Sequence, residues 1–218
     1  SDEGGAGNLS KDGTANCYIV STDGHYSFDA VKGNSDEPVG EVASVAVLWE
    51  STGTNEYLRV GSLVQNPSYA DGVVSFDVGK YKAGNAVIAA KDESGNILWS
   101  WHIWLTDLPE EQVYYNNAGT MMDRNLGAIS ATPGDVGALG LLYQWGRKDP
   151  FPAPVDLKTS YNGQISDVYP SATVVFKSAQ DGVNLETTIG NPATYYWGNS
   201  NKNAQDWSNA SFDGYWSR

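Results

Sequence analysis

The stretch from Gly84 to Trp104 leaves this chain little choice of fold. Asn85 to Ala90 is apolar at nearly every position, and Glu93-Ser94-Gly95-Asn96 then supplies a turn. Ile97 to Trp104 follows, with Ile97, Trp99, Trp101 and Ile103 at odd positions and Ser100 and His102 among the even ones. A strand sends alternate side chains to opposite faces, so this parity predicts a long strand that turns Trp99 and Trp101 inward. The even face is expected to be wetter, with His102 a surface residue. The uniformly apolar run before the turn reads as a central strand, buried on both faces.

The same texture extends through residues 15–107. Val45, Val47 and Trp49 alternate, as do Val74, Phe76 and Val78 after the turn Tyr69-Ala70-Asp71-Gly72. Strands and turns at roughly ten-residue intervals predict an antiparallel, immunoglobulin-like β-sandwich, with Trp49 facing the same core as Trp99 and Trp101. Cys17 lies in the apolar run Cys17-Tyr18-Ile19-Val20 and is the only cysteine. No internal disulfide can form, and the thiol is expected to be buried and unreactive, a small hydrophobe. Upstream, residues 1–14 hold a single large apolar side chain, Leu9, and read as a flexible tether.

Leu108-Pro109-Glu110-Glu111 marks a boundary, because proline interrupts a strand and the charges favour water. Residues 108–218 form a second, loop-rich α+β region. Residues 113–131 are strand-like. Asp135 is placed to cap a short helix carrying Val136, Leu139, Leu142 and Tyr143 and closed by Gly146. The chain as a whole is predicted to be mainly β: 24 Gly and 8 Trp suit short strands and turns better than a helical bundle.

Charge narrows the partners. Lysine and arginine total 13 against 26 acidic residues, a formal net charge of -13 without a basic patch. Nucleic acid is thus excluded as an expected partner, and no apolar run is long enough to insert the mature domain in a membrane.

Several segments resemble a known family. Asn16 to Val20, Gly84 to Ala90 and Ile97 to Asp107 are similar to the sandwich domain of secreted Bacteroides proteins described as fimbrillin-like or as adhesins. Met122-Asp123-Arg124-Asn125-Leu126-Gly127-Ala128 and Leu142 to Phe151 resemble the start of the Fibrobacter major paralogous domain, whose fold is thought to be related to C-type lectins. The resemblance implies a cell-surface or fimbria-associated protein that works through protein or glycan contacts and has no catalytic residues. It implies host or bacterial surface proteins, glycans or other fimbrial subunits as partners. It also implies an extracellular location, with anchoring to the outer membrane through the N-terminal tether. Family members continue past a stretch like Asp213 to Trp216, so the second domain is expected to be incomplete.

Candidate chemistry is sparse. His25 and His102 show no metal-site spacing, and the motifs of serine hydrolases, phosphate-binding loops and zinc proteases are missing. No cofactor, metal or catalytic residue is predicted. A glycoside hydrolase needs two facing carboxylates, and Asp123, Asp135 and Asp149 are the candidates for that alternative, as is an accessory carbohydrate-binding role. The aromatic cluster Tyr195, Tyr196, Trp197, Trp207, Tyr215 and Trp216 lies in Asn-rich surroundings. Flat rings beside amides are what sugar stacking requires, whereas the competing reading, core packing, is favoured because most aromatics are buried. Asn199, Asn201, Asn203 and Asp206 carry oxygens suited to calcium, and turn chemistry explains them as well.

Overall fold

A computed structural model describes residues 7–54, 56, 58–59, 61–152, 168–170, 174–197 and 207–208. The chain is mainly β. Eight strands come first: β1 (Gly7–Asn8), β2 (Cys17–Val20), β3 (Gly24–Asp29), β4 (Ser44–Ser51), β5 (Gln65–Ala70), β6 (Val73–Val78), β7 (Gly84–Lys91) and β8 (Ile97–Leu105). Seven short ones follow: β9 (Glu111–Val113), β10 (Thr120–Met122), β11 (Leu142–Tyr143), β12 (Pro150–Phe151), β13 (Val168–Tyr169), β14 (Val175–Ser178) and β15 (Thr194–Trp197). The α-helix α1 (Leu185–Gly190) lies between β14 and β15, with Asn184 accepting from the Thr187 N–H at its start.

Two sheets share the main core. One has the order β1-β3-β6-β5 and the other β13-β4-β7-β8-β2. Phe28, Val74 and Phe76 from the first meet Ile88, Trp101 and Ile103 from the second, all of them buried. Phe28 packs on Trp101 with ring centroids 5.1 Å apart. The central run Gly84–Lys91 lies between β4 and β8, buried on both faces as expected. Trp99 and Trp101 face the shared core, as the parity of β8 predicts.

Four expectations are corrected. The sheets are mixed: β1 runs parallel to β3, and β2 runs parallel to β8. Trp49 faces away from Trp99 and Trp101 and packs with Val87 and Leu141 instead. The cause is a bulge: Val47 pairs with Ile88 and Trp49 with Val87, so Leu48 is an extra residue that switches faces. The even face of β8 is dry. Ser100, His102 and Trp104 are all buried there, because residues 123–151 fold over it; the Trp104 indole N–H donates to the Ala128 carbonyl, 2.9 Å away. Finally, Asp135 does cap a turn, its carboxylate accepting from the Gly137 N–H, but a single 3-10 turn, Val136–Ala138, replaces the helix. Gly140, with φ of +74° and no room for a Cβ against the Leu126 carbonyl, ends it, and Leu142–Tyr143 is a strand.

Within the expected tether, the chain is already packed from Gly7. The Leu9 N–H donates to Ser27, and the Ser10 hydroxyl is hydrogen-bonded to the Tyr18 hydroxyl in a buried contact. Across the 107/108 boundary, β13 extends the sheet of β4 in antiparallel register, Val168 opposite Ser51 and Tyr169 opposite Glu50.

Candidate functional site

The aromatic cluster is divided between a buried hub and an exposed face. At the hub stands Arg147, 6% exposed. Its guanidinium donates to Gln144 Oε1 at 2.7 Å, to the Thr194 carbonyl at 2.6 Å and to the Asn191 carbonyl at 3.1 Å. Three rings enclose it: Phe151 at 5.0 Å, Tyr196 at 5.8 Å and Trp207 at 6.0 Å. Burial pulls its pKa below the usual arginine value, yet a guanidinium stays charged in a protein. Rings and carbonyls together replace much of the water it gives up, while its Nε is buried without a hydrogen-bond partner among the described residues. Gln144 closes the hub by donating to the Tyr196 carbonyl and accepting from the Tyr196 N–H. Tyr196 and Trp207, each 3% exposed, are therefore core residues, and the Trp207 indole donates to the Trp145 carbonyl.

On β15 the neighbours of Tyr196 point the other way. Trp197 is 50% exposed and Tyr195 half-buried. Since β14 runs parallel to β15 with Phe176 opposite Tyr195 and Ser178 opposite Trp197, these four side chains share one face. Phe176, 57% exposed, lies 5.5 Å from Tyr195 between ring centroids, and buried Phe151 meets the Tyr195 ring edge-on at 5.4 Å. Phe176 belongs to the exposed aromatic group and was absent from the sequence-based set. Tyr215 and Trp216 lie outside the described residues, as do Asn199, Asn201, Asn203 and Asp206.

Titratable groups collect under residues 123–151, on the outer face of the five-stranded sheet. Cys17 Sγ is 3.2 Å from His102 Nδ1, and His102 Nε2 is 2.8 Å from Asn85 Oδ1. Because the Asn85 amide donates to the Gly127 carbonyl, its oxygen must accept from Nε2–H, which leaves Nδ1 to accept from the thiol. Thiol, imidazole and amide in this order are the parts of a cysteine hydrolase. They are held in their neutral forms here. Cys17 is half-buried as a residue, but enclosure of its sulfur pushes the thiol up to about 12, and burial takes His102 down to about 3. A nucleophile needs the thiolate. His102, expected at the surface, is 3% exposed. Nearby, Lys148 Nζ donates to Ser100 Oγ at 2.7 Å and to Asp149 at 2.6 Å, and lies 4.5 Å from the Trp99 ring centre.

None of the three candidate carboxylates faces another across a cleft. Asp123 is bonded twice by Arg124, at 2.7 and 2.9 Å, which holds its carboxyl below the usual range. Asp135 is occupied by the Gly137 N–H, and buried Asp149 by Ser100 and Lys148. Glu50 has its pKa raised by burial and borders a groove of about 490 Å³. Its Oε1 accepts from the N–H groups of Leu63 and Val64, at 3.1 and 2.7 Å, and so secures a turn. His25 is exposed and paired with Asp77 at 2.7 Å. Among the described residues no group of three or more metal-ligating side chains assembles, and no helix is long and apolar enough to cross a membrane.

A search of protein-family models, of curated proteins and of solved structures found no match to the chain.

Proposed function

We propose that this chain is a non-catalytic adhesion module of a bacterial cell surface, acting through protein or glycan contacts made by its second half. One observation carries the reading. Every exposed large hydrophobic side chain among the described residues lies between Leu108 and Trp197, including Tyr115 at 92%, Val113 at 78% and Trp145 at 65%. The two-sheet half buries its apolar side chains. The half that follows presents them to solvent, and exposed apolar patches mark contact sites. In this reading the first half is an immunoglobulin-like sandwich and the second a C-type-lectin-related region, and other fimbrial subunits belong among the partners. The module is extracellular, anchored to the outer membrane through the N-terminus, and needs no cofactor. Glycoside hydrolysis is less well supported, since each candidate carboxylate is committed to a structural partner.

The test is adhesion of beads coated with the full chain to surfaces bearing mucin glycans, matrix proteins or bacterial cells. Adhesion to at least one surface is expected, falling severalfold when Trp145 and Trp197 are both replaced by Ser. Polysaccharide turnover abolished by Asp149→Asn would overturn the reading.

A further inference from the structure

The face shared by β14 and β15 is a two-by-two patch in which rings fill three corners and a hydroxyl the fourth. Phe176 and Tyr195 stand side by side, and Ser178 and Trp197 occupy the next pair along the ribbon. One step of two residues along a strand advances about 6.6 Å, so the rings are offset along the ribbon and not stacked on a single spot. Half or more of the Phe176 and Trp197 surface is open. Beneath them the ribbon is fixed. Arg147 holds the Thr194 carbonyl, Gln144 holds both peptide groups of Tyr196, and Phe151 braces Tyr195. Rings mounted on a pinned backbone lose little freedom when something settles on them, which is the condition for useful affinity from few contacts.

We infer that Phe176, Tyr195 and Trp197 form a binding platform for an uncharged polysaccharide whose sugars present flat C–H faces, with Ser178 bonding a sugar hydroxyl. This rests on the adhesion reading and names its ligand class. Chemistry selects the ligand. The apolar face of a pyranose matches an open ring, and its hydroxyls need a polar neighbour such as Ser178. Charge selects within the class: a chain of net charge -13 disfavours uronic-acid, sulfated or sialylated polymers.

Affinity electrophoresis of the full chain through gels containing a soluble β-linked glucan, a neutral mannan or polygalacturonate tests the assignment. Retardation by at least one neutral polymer is expected, with none by polygalacturonate. Phe176→Ala and Trp197→Ala should each weaken binding about tenfold. Trp197→Phe should retain most of it. Both substituted positions are exposed, and an unchanged thermal midpoint would confirm that the variants fold. Failure to bind any polysaccharide, with bead adhesion to proteins intact, would overturn this inference and leave the adhesion reading standing. Loss of both would overturn both. Binding that ignores the two ring substitutions would also overturn the platform.

Discussion

Cys17 and His102 are directly opposite in the parallel β2–β8 pair, and both have displaced pKa values. Both displacements come from burial, and both favour the neutral form. The imidazole, ordinarily near 6.5 and about 3 here, takes up a proton more readily in the unfolded chain throughout that interval. The histidine's share of the folding stability should therefore be complete above pH 6.5 and fall by about 1.4 kcal/mol per pH unit as acid is added, until pH 3. The thiol works in the opposite sense: its share is complete below about 9 and is lost as the pH rises towards 12. Denaturant midpoints measured between pH 4 and 8 should show the acid slope, and His102→Gln should flatten it. A wild-type slope no steeper than that of the variant would refute the buried neutral histidine. Folded protein at pH 8 should react with a thiol reagent far more slowly than unfolded protein.

Leu48 shows what one extra residue does to a whole element. Before it, Val45 and Val47 pack against the inter-sheet core; after it, Trp49 sits with Val87 and Leu141 on the other side. Deleting Leu48 should straighten the strand and leave Trp49 opposite Val87 on the outer face, so that the loss is the packing of Leu48 beside Trp49, on the order of 1–3 kcal/mol. Equilibrium unfolding of the deletion variant would measure it, and a change below about 1 kcal/mol would mean that the bulge is dispensable. Leu48 also marks the limit of what alternation reveals. The parity of Trp99, Trp101 and Ile103 was legible because the five residues from Trp99 to Ile103 alternate without interruption, whereas a bulge leaves no trace in an apolar run such as Val45 to Trp49. The dry even face of β8 was hidden for another reason: what covers it arrives from residues 123–151, and parity is silent about partners so distant. The candidate site was half legible. Tyr195-Tyr196-Trp197 announced a ring cluster, but only Arg147 and Gln144 decide that Tyr196 turns inward. Phe176 joins through a parallel pairing that no local pattern reveals.

At the scale of the molecule, the two halves differ in where they place apolar surface. The two-sheet half closes on itself around Phe28, Phe76 and Trp101, and the segment over its outer face adds Trp49, Trp104 and the polar cluster of Asn85, Ser100 and His102. Beyond Leu108 the chain is built of short paired segments with many exposed rings. The parallel register of β2 on β8 has a mechanical consequence. β2 is entered from the N-terminal side, and β8 leads out at Leu105 towards the exposed aromatic half. Tension between an N-terminal attachment and a surface gripped by the second half would slide these strands past one another. All four paired positions from Cys17 to Val20 would share the load at once, whereas the β5–β6 hairpin pulled at Gln65 and Val78 would unzip bond by bond. Single-molecule stretching between residues 16 and 106 should accordingly require severalfold more force than stretching between residues 65 and 78. Equal forces would remove the shear argument. On the proposed adhesion reading, a grip in the second half and an anchor before β2 would be joined through a strand pair loaded in shear.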